Sequence, residues 1–336
     1  MSRNGGAPLL EVKNLVKRFR ARQSVVERMR FRPAQHAVAV DGVSFSVKKG
    51  ETLGLVGESG SGKTTVARSV LRLIDPDEGS IIFDGVDVSG LSRSELQGVR
   101  RRMQMVFQDP YSSLNPRMKV GTAIAEPALV HGVIERAAAA RHAEEMLDLV
   151  GLPASAAERY PRQLSGGQRQ RVAIARALAA RPNVLIADEP VSALDVSVQA
   201  QILNLLSKLL EELDLTMVFI AHQLSVVRHI SNRVAIMYLG RIVETGPTDR
   251  VFDSPQHPYT KALLEAAPHP DPNRRHTRAA VRGDIPSPFE IPSGCRFRTR
   301  CAYAVERSET EDPVLRPVGP DHYAACHVLP FRDGAA

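Results

Sequence analysis

Gly57-Glu58-Ser59-Gly60-Ser61-Gly62-Lys63-Thr64 decides the fold. These eight residues fit G-x-x-x-x-G-K-[ST], a loop whose backbone cradles phosphates when it joins a strand to a helix. Both flanks are present. Thr52-Leu53-Gly54-Leu55-Val56 is a short apolar run that ends at glycine, as a buried parallel strand does. Thr65-Val66-Ala67-Arg68-Ser69-Val70-Leu71 follows as a helix. The glycines let the backbone wrap a polyphosphate with its N–H groups pointing inward. The helix N-terminus adds a partial positive charge. Lys63 is expected to reach the β- and γ-phosphates, and the Thr64 hydroxyl to bind Mg²⁺. The plainer reading is a Gly/Ser-rich turn with no ligand, and the flanking strand and helix weigh against it.

Working outward, Val184-Leu185-Ile186-Ala187 and Met217-Val218-Phe219-Ile220-Ala221 read as two more buried strands. Ile202, Leu205, Leu206, Leu209, Leu210 and Leu213 fall on one helical face within 196–213. Strands alternating with helices predict an α/β fold with a parallel sheet. Asp188-Glu189 closes the strand at 184–187, where a carboxylate faces the ligand crevice of such a sheet. Asp188 is expected in the Mg²⁺ shell, and Glu189 to polarise the attacking water. Leu164-Ser165-Gly166-Gly167-Gln168 precedes an amphipathic helix, Arg169–Ala180. Ser165 suits an N-cap, and the two glycines leave the first helical N–H groups uncovered. That is a second anion site without a lysine of its own, which suggests a shared ATP.

Residues 9–49 read as strands at 9–12, 37–40 and 43–47, with a basic insertion at 20–32. Residues 120–150 read as Ala-rich helix stopped by Gly151-Leu152-Pro153. Eight prolines between Pro255 and Pro292 predict an irregular C-terminal extension. The chain has 336 residues and a net charge of +7, and residues 1–36 carry the whole imbalance. The basic insertion reads as a solvated loop. An anionic lipid or nucleic-acid partner is the alternative, but no nucleic-acid-binding motif accompanies the charge. No apolar run reaches the ~18 to 20 residues of a membrane span, no secretory signal is expected, and the three cysteines are too few for a secreted disulfide framework. The protein is therefore expected in the cytosol.

Taken together, these residues resemble the ABC ATPase family. Gly57–Thr64 is similar to its Walker A loop, Leu164–Gln168 to its signature, and Asp188-Glu189 to the end of its Walker B strand. Val106-Phe107-Gln108-Asp109-Pro110 resembles the Q-loop, Ser192-Ala193-Leu194-Asp195 the D-loop, and Ala221-His222 the switch histidine. The resemblance implies a P-loop ABC ATPase core, an antiparallel β subdomain and a helical signature subdomain around 110–165. It implies ATP bound by Gly57, Glu58, Ser59, Gly60, Ser61, Gly62, Lys63, Thr64 and Thr65, with Phe19 stacked on adenine. It further implies Mg²⁺ held through Thr64, Gln108 and Asp188, Glu189 as general base, and His222 steadying the γ-phosphate. Leu164, Ser165, Gly166, Gly167 and Gln168 should contact ATP held by a second cassette, and Asp195 is the D-loop residue.

A narrower resemblance covers nearly the whole chain. Phe107-Gln-Asp-Pro-Tyr-Ser-Ser-Leu-Asn-Pro116, Val227-Arg-His-Ile-Ser231, His257-Pro-Tyr-Thr260, Ile285-Pro-Ser-Pro288 and Gly294-Cys-Arg-Phe-Arg-Thr-Arg-Cys301 resemble the oligopeptide/dipeptide importer ATP-binding subfamily. This implies a cassette at 9–255 with an extension at 256–336, on the cytoplasmic face of the cell membrane. The implied partners are two membrane permease subunits, a second ABC ATPase subunit, identical or homologous, and an extracytoplasmic substrate-binding protein. Gln223 departs from the acidic residue that usually follows the switch histidine. The subfamily's tail often carries four cysteines that in some members hold an iron–sulfur cluster. Here Cys295, Cys301 and Cys326 remain, with Ser308 in the third position and His327 beside Cys326. A cluster, zinc or a reduced metal-free tail are the three alternatives. The rival functions are import of nickel or another small solute, a soluble ABC ATPase acting on DNA or ribosomes, and a non-catalytic regulatory subunit. Intact Glu189 and His222 argue against the last, and the lack of a coiled-coil insertion or second cassette argues against the soluble ATPase.

Overall fold

The computed structural model describes residues 7–21, 36–266 and 283–329. The basic insertion lies outside them from residue 22 onward. The strands are β1 Leu10–Arg20, β2 His36–Val47, β3 Thr52–Val56, β4 Glu78–Phe83, β5 Val86–Asp87, β6 Met103–Val106, β7 Val184–Asp188, β8 Thr216–Ala221, β9 Arg233–Tyr238, β10 Arg241–Pro247, β11 Arg316–Gly319 and β12 His322–Ala324. The chain forms two compact units. Among the described residues, one contains 7–11, 46–53 and 82–221, and the other contains 12–21, 36–45, 54–81, 222–266 and 283–329. Among the described residues, no helix is long and apolar enough to cross a membrane.

In the first unit β7 runs between β6 and β8, parallel to both, with Met103 opposite Val184 and Val184 opposite Thr216. β7 and β8 are buried at every position, which is why their sequences are unbroken apolar runs rather than alternating ones. The stretch at 120–150 is two helices, Val120–Val130 and Ala139–Leu149, not one. Gly132 and Gly151 take positive φ just past the two helix ends. Val133 N–H reaches back to Ala128 O and Leu152 N–H to Leu147 O, so each helix closes in a Schellman turn. The helix Val196–Glu212 buries Ile202, Leu203, Leu206 and Leu209. The expected stripe is rotated slightly: Leu203 replaces Leu205 in the core, and Leu213 is exposed beyond the helix end.

In the second unit β1 lies between β2 and β4. The short strands expected at 37–40 and 43–47 are one strand, carried through a positive-φ Gly42. The strand expected at 9–12 continues to Arg20, because Leu15 and Val16 are also buried. β9, β10, β12 and β11 form an antiparallel ribbon, with Glu244 opposite Ala324 and Arg316 opposite Ala324. The C-terminal extension is therefore not irregular throughout. Its hairpin adds two strands beside β10, and Pro258–Ala266 is a helix. Prolines hid both elements: Pro258 starts the helix and Pro317 sits in the terminal strand of the ribbon, both places where a missing N–H is tolerated.

Candidate functional site

The Gly57–Thr64 loop leaves β3 in the second unit and turns into the helix Lys63–Val70. A Cβ on Gly57 would run into Met237 O, and one on Gly62, at φ 103°, into Ala39 O. Only glycine fits either position, whereas Gly60, also at positive φ, faces open space. The loop is thus closed on its inner side and open on the outer. Lys63 is buried, and its Nζ donates to Gly57 O at 2.7 Å and Glu58 O at 2.9 Å. Ser59 is exposed, and Thr64 and Thr65 are half-buried at the helix start. Phe19 is exposed near the end of β1, with Lys17 Nζ 5.8 Å from its ring centre.

In the first unit Asp188 ends β7 and is buried. Glu189 follows with φ 45°, a left-handed conformation that costs a non-glycine residue of order 1–3 kcal/mol and persists only where neighbours enforce it. The neighbours are identifiable. Glu189 N–H donates to Ile220 O, its carbonyl accepts from Ser192 Oγ, and its Oε2 accepts from Gln108 Nε2 at 2.8 Å. The strain turns the Glu189 side chain away from the strand's alternation and onto Gln108, so two of the sequence-predicted residues meet.

Ser165 is the N-cap of the helix Gly166–Ala179. Its Oγ accepts from Gln168 N–H, and its own N–H donates to Gln168 Oε1, a reciprocal capping box that S-x-x-Q signals in sequence. Ser165 is exposed, while Leu164 is buried beneath it. A Cβ on Gly167 would lie 2.6 Å from Val198 Cγ1, and one on Gly166 3.3 Å from Leu194 Cδ2. The signature glycines therefore allow close packing on the segment around Asp195, which is itself exposed at the N-cap of Val196–Glu212. His222 is exposed at the start of the second unit's third segment, and Gln223 beside it caps the helix Leu224–Ile230.

The surroundings of the cysteines bear on the three alternatives of a cluster, zinc or a metal-free tail. Burial pushes all three thiols up, Cys326 to about 11, and each is near enough to a neighbour for its charge to matter. Cys301 Sγ accepts from Tyr303 N–H and Cys326 Sγ from Val328 N–H. The candidate fourth ligands are otherwise engaged: Ser308 Oγ with Val305 N–H, and His327 Nε2 with Glu311 O. Among the described residues no group of three or more His, Cys, Asp or Glu could hold a metal ion. With Ser308 and His327 engaged elsewhere, the described tail does not offer the four-ligand set that a cluster or a zinc ion takes.

Sequence reasoning missed a set of contacts on the loop. Arg300 forks onto Glu58, Nη1 to Oε2 at 2.7 Å and Nη2 to Oε1 at 3.0 Å, and Tyr259 OH accepts from Glu58 N–H at 2.9 Å. Arg296 likewise grips Asp41 and the Leu239 carbonyl. Tyr238, Tyr259 and Phe297 pack ring against ring at 4.7 to 5.4 Å and anchor this segment. No local pattern points to these contacts, because each joins residues remote in sequence.

Residues 40–192 match the family described as ABC transporter, and residues 243–307 the one described as oligopeptide/dipeptide transporter, C-terminal region. A Brucella ovis protein named as a peptide import ATP-binding protein is 50% identical over 95% of this chain and 97% of its own. The oligopeptide transport ATP-binding protein AppF of Bacillus subtilis is 48% identical over 95% of this chain and 97% of its own. Among solved structures, a dimeric ATP-binding cassette in a post-hydrolysis state bound to ADP and Pi is 31% identical. It superposes with a TM-score of 0.62 over 71% of this chain and 98% of that one.

Proposed function

The chain belongs to the ABC transporter family, among its peptide import ATP-binding proteins, and on that premise we propose how its residues divide the work. The protein is an ATPase that powers import, and peptides or oligopeptides are the solute class its relatives' names support. The observation that carries the catalytic assignment is Glu189, held in a left-handed conformation against Gln108 directly after buried Asp188. Strained backbone clusters at active sites, and at Glu189 it coincides with the buried Asp188 before it and the Gln108 contact on its carboxylate.

We assign the loop Gly57–Thr65 to the ATP phosphates, with Lys63 neutralising β/γ charge and Phe19 stacking on the base. Thr64, Gln108 and Asp188 offer the hard oxygen donors that Mg²⁺ takes, and the ion would draw charge off the transferred phosphoryl group. Glu189 orients and deprotonates the attacking water, and His222 steadies the γ-phosphate. Phosphoryl transfer demands positioning and charge neutralisation more than covalent participation, and these side chains supply both. Ser165, Gly166 and Gly167 take the nucleotide of a second cassette. The cassette at 9–255 works with the extension at 256–336 on the cytoplasmic face of the membrane, against two permease subunits. An extracytoplasmic binding protein delivers the solute. The match to the peptide-transporter C-terminal region favours this reading over a soluble ATPase acting on DNA or ribosomes.

Glu189→Gln in the purified transporter complex tests the assignment. ATP binding is expected to persist while turnover falls by ~10² to 10⁴, the usual cost of losing a general base. Wild-type turnover in that variant would remove Glu189 from the mechanism.

A further inference from the structure

Lys63 does not aim itself. Its amino group rests on the carbonyls of Gly57 and Glu58, so the orientation of Glu58 sets where the charge lies. Glu58 in turn is held at every polar group it has. Its carbonyl takes Lys63, its N–H is bound by Tyr259 OH, and both carboxylate oxygens are taken by the Arg300 fork. Arg300 is buried and also reaches Tyr238 OH at 3.5 Å. Tyr259 is fully buried between Tyr238 and Phe297. Both Arg300 and Tyr259 lie in the C-terminal extension, outside every nucleotide motif.

We propose that Arg300 and Tyr259 are positioning residues for ATP binding: through Glu58 they fix the phosphate loop so that Lys63 points into the cradle. The inference rests on reading Gly57–Thr64 as the ATP phosphate loop. Two features favour positioning over simple anchoring. Anchoring of the segment is already supplied by Phe297 in the aromatic cluster and by Arg296 on Asp41. A carboxylate on the second loop residue is also a liability beside a polyanion. The bidentate guanidinium cancels that charge and fixes its direction, which a lysine's single point charge does not.

The test uses the full-length chain with ATP as probe, comparing Arg300→Ala, Arg300→Lys, Glu58→Ala, the Arg300→Ala/Glu58→Ala double variant, and Lys63→Ala. For Arg300→Ala, KM for ATP is expected to rise about tenfold with kcat changed less than twofold, the pattern of lost uniform binding. Arg300→Lys should recover only part of the affinity. The double variant should bind no worse than the weaker single one, because coupled partners are not additive. Unchanged KM in Arg300→Ala, or a loss of kcat and folded fraction at unchanged KM, would overturn the proposal. If Arg300→Ala fails to fold, Arg300→Lys and Glu58→Ala carry the same readout. Lys63→Ala separates the premises. Wild-type ATP affinity there removes the phosphate-loop reading itself, whereas lost affinity there with unaffected Arg300 variants removes only the positioning role.

Discussion

A single imidazole illustrates how burial becomes a measurable property. His257 is fully buried against Phe297, its Nδ1 accepting from Tyr259 N–H and its backbone N–H donating to buried Glu244 Oε2. Burial pushes its pKa down to about 3, so it stays neutral in the folded protein. In the unfolded chain it protonates near 6.5. Between these values the unfolded state holds the extra proton, so stability rises with pH and falls on acidification. The slope from this group is roughly 1 kcal/mol per pH unit below pH ~6. Urea unfolding at pH 7.5 and pH 5 should show this loss in the wild type and much less of it in His257→Asn, whose amide oxygen can replace Nδ1. Equal losses in both would exclude His257 as the source. Asp41 does not confound the comparison. Burial alone raises its pKa, but Arg296 and Arg241 outweigh that and hold it low. Its contribution is lost as pH falls from the ordinary carboxylate value through that depressed one, below the pH 5 of the comparison.

At the level of elements, the signature helix depends on a close approach. Val198 is β-branched and stiff at χ1, so it cannot swing away from a Cβ placed 2.6 Å from it. Gly167→Ala should therefore separate the starts of the helices Gly166–Ala179 and Val196–Glu212, at a cost of about 1–3 kcal/mol. Gly166→Ala, with 3.3 Å to the more flexible Leu194, should cost less. Adding Val198→Ala to Gly167→Ala should recover most of the thermal stability, and no recovery would refute the packing argument. This contact also marks where sequence reading stops. Ser165, Gln168 and the two glycines are legible because capping is a matter of residues three apart. The steric reason for the second glycine is not, because it depends on Val198 in another helix. The split at Gly132 is a different case, because its Schellman bond from Val133 N–H to Ala128 O is local. The glycine was readable, but alanine-rich segments on both sides look like one helix until the Schellman turn is seen.

For the whole molecule, the exposed Ser165 at a helix start with two glycines and no lysine predicts a pair of cassettes, each completing the other's nucleotide site. In a variant lacking Cys295, Cys301 and Cys326, cysteines at Ser165 and at the exposed Ser59 should cross-link between chains when ATP is present. Cross-links within one chain, or none with ATP, would contradict the pairing. The nucleotide motifs were legible because each is a short run whose chemistry needs particular neighbours. The grip on the loop was not, because Glu58 and Arg300 stand 242 residues apart and belong to no shared pattern. That separation also has a consequence in time. A ribosome adding ~5 to 20 residues per second emits Glu58 roughly 10 to 50 s before Arg300. During that interval the nascent loop has its glycines and its lysine but not its guanidinium partner. The nucleotide cradle is thus synthesised well before the partner that sets it.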